Sequence, residues 1–179
     1  FTVAAQAPGI SQVEFDLMIY SGIDYQASDR LYLDIAGPDL EFVEYQICDN
    51  VNQILDPGET TELIVTVINN GQTPVNELSG ILSSHNSLLE IGESTCYFGN
   101  SIPGSEINNA DDPFIVSANF QILPETEFTL DLQLINPAGY SETISFPLMV
   151  GTSHQIDPLG PDAYGYLCFD DGDAEYYHP

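Results

Sequence analysis

Apolar and polar residues alternate along most of this chain with a period of two. Val13, Phe15, Leu17 and Ile19 fall on one side of the run 12–19, and Leu31, Leu33 and Ile35 on one side of the run 30–36. That period puts alternate side chains on opposite faces of an extended strand. Similar runs, rich in Val, Ile, Phe, Tyr and Thr, predict strands over 40–47, 60–68, 77–83, 88–91, 94–98, 114–120, 126–135 and 142–150. No stretch sustains a helical period. Asn69-Asn70-Gly71 and Asn136-Pro137-Ala138-Gly139 separate the runs with residues that accept tight turns. Seven or eight short strands at this spacing, in about 110 residues, predict an all-β immunoglobulin-like sandwich. An open barrel fits less well, because the runs differ in length.

The pattern also repeats. Phe1-Thr-Val-Ala-Ala matches Phe114-Ile-Val-Ser-Ala, and Glu14-Phe15 matches Glu127-Phe128, at an offset of 113. Tyr25 then matches Tyr140, and Leu31-Tyr-Leu matches Phe146-Pro-Leu, at an offset of 115. One two-residue insertion before the Tyr accommodates both. A period this long suits a small β domain rather than a solenoid repeat. Three regions follow. Residues 1–37 are expected to be the last strands of a preceding module of the same kind, or donor strands for another one. Residues 38–151, after Gly37-Pro38, form a complete sandwich. Residues 152–179 are a linker with Pro158 and Gly160-Pro161, then the start of a further β segment. Phe1-Thr-Val is not an initiator sequence, so a processed or excised part of a longer protein is expected.

Composition narrows the partners. The 179 residues carry 28 Asp and Glu against one Arg and no Lys, a net charge of −27. Binding to nucleic acid or to an anionic membrane surface needs a basic patch, which Arg30 alone cannot make. Cations suit such a surface, Ca²⁺ above all, since it takes hard oxygen ligands. No run approaches the roughly 18 apolar residues of a membrane helix, so no membrane insertion is expected. At 43% apolar the chain has enough material for a packed core. Cys48, Cys96 and Cys168 have no zinc-like spacing, and a Cys48–Cys96 bridge and buried thiols both remain open.

The clearest candidate site is the loop from Cys48 to Glu59. A calcium loop presents oxygens at positions 1, 3, 5, 7, 9 and 12. Counted from Cys48 these are Cys48, Asn50, Asn52, Ile54 through its carbonyl, Asp56 and Glu59, with Asp49 able to replace the cysteine. The terminal Glu suits a bidentate ligand, whereas Gln53 stands where such loops place glycine. Asp170, Asp171 and Asp173, with Glu175, form a second acidic cluster around Gly172, and 108–112 a third. Catalytic patterns are lacking: there is no nucleophile elbow, phosphate loop or zinc spacing, and the three histidines sit in loops or at the terminus. No enzyme activity is expected.

Residues 40–151 resemble the Ig-like accessory modules, often called CARDB-like, of large secreted bacterial proteins. The resemblance rests on the Asp/Asn-rich run 49–54 entering Leu55-Asp56-Pro57-Gly58-Glu59, on the strand and Asn69-Asn70-Gly71 turn that follow, on Pro113-Phe-Ile-Val, and on Leu148-Met-Val-Gly151. Gly160-Pro-Asp-Ala-Tyr-Gly-Tyr166 resembles the start of domains that follow such modules, including some with gingipain-type cysteine peptidase domains. The resemblance implies an extracellular or cell-surface location and a structural or adhesive role. Partners would be other domains of the same protein or copies of the chain, with surface glycans or proteins as further candidates. Two alternatives stand beside it: a filament subunit joined by β-strand complementation, and an accessory domain of a secreted peptidase.

Overall fold

The computed structural model describes residues 11–21, 25–49, 51–152, 164, 166 and 168. Every element of regular structure among them is a strand. In chain order these are β1 (Ser11–Ser21), β2 (Tyr25–Ile35), β3 (Leu40–Ile47), β4 (Thr60–Asn69), β5 (Val75–Ser84), β6 (Leu89–Glu93), β7 (Thr95–Ser101), β8 (Glu106–Asn108), β9 (Phe114–Ala118), β10 (Thr126–Ile135) and β11 (Ser141–Val150).

Strands β3 to β11 build two sheets. One has the order β3-β4-β9-β6, with β8 pairing the far half of β4; the other has the order β11-β10-β5-β7. This is the A-B-E-D over G-F-C arrangement of an immunoglobulin-like sandwich, with β7 added at the edge beside β5. The chain is therefore all-β, as its alternation predicts.

The alternation also decides which side chains fill the space between the sheets. Leu63, Val65 and Val67 of β4 and Phe114 and Val116 of β9 face Leu130, Leu132 and Leu134 of β10 and Phe146, Leu148 and Val150 of β11, all essentially inaccessible to water. Each such side chain contributes roughly 1.5–3 kcal/mol on burial. Phe42 of β3 stacks on Phe146 with ring centroids 4.7 Å apart and planes 4° from parallel, which joins the two sheets along one side. Pro147 is tolerated in β11 because that strand lies at a sheet edge, where one row of amides needs no partner.

Several boundaries differ from the sequence expectation. β2 begins at Tyr25, β5 at Val75, and β7 runs on to Ser101. β8 was not expected, because Glu106-Ile107-Asn108 offers a single apolar residue and hence no period. β9 stops at Ala118, where the Asn119 side chain accepts a hydrogen bond from the Gln121 amide at 2.9 Å and bends the chain away.

Strands β1 and β2 form an antiparallel sheet of their own, from Ser11 opposite Ile35 to Ser21 opposite Tyr25. Three residues separate Ser21 from Tyr25, and five separate Ile135 from Ser141 in the β10–β11 hairpin. The repeat is not carried into the pairing: the counterparts of Phe128 and Leu148, which pair, are Phe15 and Leu33, but Phe15 pairs with Leu31, a register two residues away. The match of Phe1–Ala5 to β9 lies outside the described residues, as does nearly all of 152–179.

Candidate functional site

Hydrogen bonds hold the chain both where it enters the sandwich and where it leaves it. At the entry, the fully buried Asn69 ends β4 and turns its side chain back on the backbone. Its Oδ1 accepts from the Asp39 amide at 3.2 Å and the Gly71 amide at 3.0 Å, and its Nδ2 donates to the Thr73 carbonyl at 2.9 Å. The Asn70 amide donates to the Asp39 carbonyl at 2.7 Å and the Gln72 amide to the Gly37 carbonyl at 2.9 Å. The turn residues legible in the sequence are therefore bound to the incoming segment 37–39, and do more than reverse the chain.

At the exit, Leu55 is completely buried and forms a parallel bridge with Val150. The Gly151 amide donates to the Leu55 carbonyl at 2.8 Å. Gly151 has φ +72, and a Cβ there would lie 3.0 Å from Pro124 Cα and 3.2 Å from Pro57 Cδ. Positive φ and lack of space both select glycine. The loop 51–59 thus closes over the end of β11.

These two junctions lie at opposite ends of the sandwich. β3 and β11 run in the same direction side by side: the Leu40 amide donates to Glu142 Oε2 at 3.4 Å near their starts, and the Met149 amide to Tyr45 Oη at 3.4 Å near their ends. Entry and exit are therefore separated by a strand length, roughly 30 Å at the usual rise per residue. Tyr140 donates a short hydrogen bond to Glu142, beside the entry. Burial, and then Glu142 itself, push the Tyr140 hydroxyl well above its ordinary pKa, so it stays protonated and donating.

The expected calcium loop uses its oxygens on its own backbone. Asp49 Oδ1 accepts from the Val51 amide at 3.0 Å and Oδ2 from the Asn52 amide at 2.8 Å. Asn52 Oδ1 accepts from the Ile54 amide at 2.9 Å, and its Nδ2 donates to Asp56 Oδ2 at 2.8 Å. Glu59 Oε2 accepts from the Asp56 amide at 3.0 Å. Among the described residues no three acidic, His or Cys side chains converge as a metal group. The carboxylates retain lone pairs that an ion can share. Gln53 has φ +62, so the position that calcium loops give to glycine adopts the left-handed conformation here despite its side chain. Asn50, Asp170, Asp171, Asp173 and Glu175 lie outside the described residues.

The third acidic cluster is structural. Asn109 is fully buried; its Oδ1 accepts from the Val65 amide at 2.7 Å and its Nδ2 donates to the Asp112 carbonyl at 3.2 Å. Asp112 Oδ2 accepts from the Tyr97 amide at 2.8 Å. The segment between β8 and β9 thereby ties β4 to β7. A lone Asn inside an acidic run gives no signal of this in the sequence.

One polar trio was not anticipated. On the outer face of the β10 sheet, Asp131 accepts from Ser145 Oγ at 2.6 Å and lies 2.8 Å from His85 Nε2. These two hydrogen bonds, Ser145 first, hold the exposed Asp131 carboxyl below its usual pKa. The hydroxyl is bonded to the carboxylate and not to the imidazole, so His85 is not placed to take its proton. Cys96, on β7 opposite Gly80 of β5, is buried, its pKa pushed up to about 12 chiefly by burial. That thiol is a poor nucleophile. Cys48, Cys96 and Cys168 are all free thiols; Cys168 is exposed. No helix among the described residues is long and apolar enough to cross a membrane.

No protein-family model matches this chain, and no curated protein matches it.

Proposed function

We propose that residues 38–151 act as a non-enzymatic structural module, a spacer or adhesive unit within a larger extracellular or cell-surface protein. The observation that carries this is the placement of the two junctions. The chain enters at Gly37–Asp39 and leaves at Gly151, at opposite ends of the sandwich, and each crossing is hydrogen-bonded to a loop of the module itself. A domain with its ends together adds little length to a chain of domains. One with its ends a strand apart extends the chain by that distance, and fixed crossings transmit orientation to its neighbours. A net charge of −27 opposes self-association of such a unit. Measuring the distance between the two junctions in solution tests the proposal.

Calcium binding at 49–59 is a second element of this proposal. The left-handed Gln53 favours it, and the loop it would stiffen forms the exit junction. Because backbone amides already draw on Asp49 and Glu59, and the Asn52 side chain on Asp56, the site would be a weak one, in the millimolar class of extracellular modules.

A further inference from the structure

Asn70 is the one asparagine of the sequence that a glycine follows. That pair carries its own chemistry. The backbone nitrogen of Gly71, once it has lost its proton, can attack the side-chain carbonyl carbon of Asn70, and glycine has no Cβ to obstruct the approach. A bond forms between Gly71 N and Asn70 Cγ, the Cγ–Nδ2 bond breaks, and the nitrogen leaves as ammonia. Water then opens the five-membered imide at either carbonyl, which leaves aspartate or isoaspartate at 70. Water and a weak base are the only co-reactants.

The docked entry segment restrains both reacting groups. The Gly71 amide, whose proton must be lost, is buried and donates to Asn69 Oδ1 at 3.0 Å. A hydrogen bond made by the protonated form disfavours its loss. Asn69 Oδ1 also accepts from the Asp39 amide at 3.2 Å, so one oxygen grips both the entry segment and the nucleophile. The Asn70 side chain, which is to be attacked, is pinned from the other side: its Nδ2 donates to Glu41 Oε2 of β3 at 2.7 Å. The Asn70 and Gln72 amides donate to the Asp39 and Gly37 carbonyls at 2.7 Å and 2.9 Å. The backbone rotation that closes the ring must break several of these bonds at once.

The product does not suit the same place. A carboxylate at 70 has no hydrogen to give to Glu41 and faces a like charge there, which repels it. Isoaspartate also adds one backbone atom to a turn that is bonded to 37–39 on both sides of Gly71.

We propose that Asn70 is a self-modification site that the docked entry segment keeps closed, with Asn69 as its positioning residue. When residues 37–39 lift off the turn, ring closure opens to Asn70, and the acid that forms opposes their return. The entry junction thus converts a transient release into a permanent one. This goes beyond the spacer proposal, since it concerns the turn itself whatever the role of the module.

Mass spectrometry tests it on the chain 1–179, held in mildly alkaline buffer and then digested with a glutamate-specific protease. Conversion at Asn70 should run roughly 100-fold slower in the folded protein than in urea, because the fraction of time the turn spends open sets the rate. Asn69→Ala removes the acceptor for the Gly71 amide and should speed conversion by roughly tenfold or more. Ile91→Ala in β6 weakens the core at the other end of the sheet and should leave the rate unchanged. If Asn69→Ala does not fold, Glu41→Ala, which frees only the exposed side chain of Asn70, should speed conversion by roughly two- to threefold. Asn70→Asp should melt below Asn70→Ala, and the gap should close when Glu41→Gln is added. Equal rates in the folded and unfolded chain overturn the proposal. So does an effect of Ile91→Ala as large as that of Asn69→Ala, which would mean that global unfolding governs the reaction. Asn70→Asp melting no lower than Asn70→Ala overturns the permanent release.

Discussion

Gly71 lies directly under the carbonyl of Gly37: a Cβ built on Gly71 would sit 2.4 Å from the Gly37 oxygen, 2.5 Å from the Asp39 nitrogen and 2.7 Å from the Pro38 carbonyl carbon. All three are backbone atoms and cannot turn aside. Gly71→Ala should therefore push the entry segment off the turn, at a cost of about 1–3 kcal/mol. For a domain of this size the melting temperature should fall by roughly 5–15 °C. Gly92→Ala is the control, since its Cβ would meet Ile115 at an ordinary 3.5 Å. Thermal melts of the two variants check this. Equal Tm values would mean that the entry segment is not held there.

Asn109→Ala should be among the most damaging polar substitutions. It removes the acceptor for the buried Val65 amide and opens the tie from β4 to β7 through Asp112. Leaving a buried amide unsatisfied costs about 1–3 kcal/mol. Asn108→Ala, which loses only a bond to the exposed Ala110 amide, should cost much less. Urea midpoints of the two variants separate these outcomes.

Stability should decline on the alkaline side from two groups. The folded pKa values of Cys96 and Tyr140 are raised above their unfolded values, so each contributes stability that is complete below the unfolded pKa and lost as pH rises toward the folded one. For Cys96 that window runs from about 9 to about 12. The full difference amounts to about 4 kcal/mol as an upper bound. A denaturant midpoint that falls between pH 9 and 11, with a smaller fall in Cys96→Ala, is the expected result. A thiol reagent at pH 8 should modify the exposed Cys168 quickly and Cys96 only on unfolding.

Calcium at about 10 mM should raise Tm by several degrees over magnesium at the same concentration. A dissociation constant of about 1 mM corresponds to about 1.4 kcal/mol under those conditions. The magnesium comparison removes the general effect of screening a strongly acidic surface. Asp56→Asn should abolish the difference, since Asp56 sits at position 9 of the loop. Identical melts in the two salts would remove calcium from the account and leave the loop held by its own hydrogen bonds.

The sandwich was legible because inward positions of β4, β9, β10 and β11 are apolar in strict alternation, and a period of two has one physical meaning. Phe15, Leu17, Leu31 and Leu33 keep the period of the residues they match, yet β1 and β2 pair two residues out of the register of β10 and β11, which no alternation of apolar residues reveals. What stayed hidden depends on contacts distant in sequence. Asn69 reads as a turn residue, yet its side chain reaches Asp39, thirty residues earlier. Asn109 reads as part of an acidic loop, yet it satisfies Val65 inside the core. Ser145, Asp131 and His85 come together only because β10 pairs with β11 and β5, and each is unremarked in the sequence. The oxygens of Asp49, Asn52, Asp56 and Glu59 were read outward, toward an ion, whereas the structure turns those of Asp49, Asn52 and Glu59 to backbone amides and that of Asp56 to the Asn52 side chain.

The most direct test of the spacer proposal is the distance between its two junctions. Nitroxide labels at Ala36→Cys and Thr152→Cys, with Cys48 and Cys168 replaced by Ser, place one probe just outside each crossing. Pulsed electron–electron resonance should give a single narrow distribution centred at roughly 30–40 Å, a strand length plus the label tethers. A centre below about 20 Å, or a distribution spread over more than about 15 Å, would contradict it, because the ends would then be neither at opposite poles nor held.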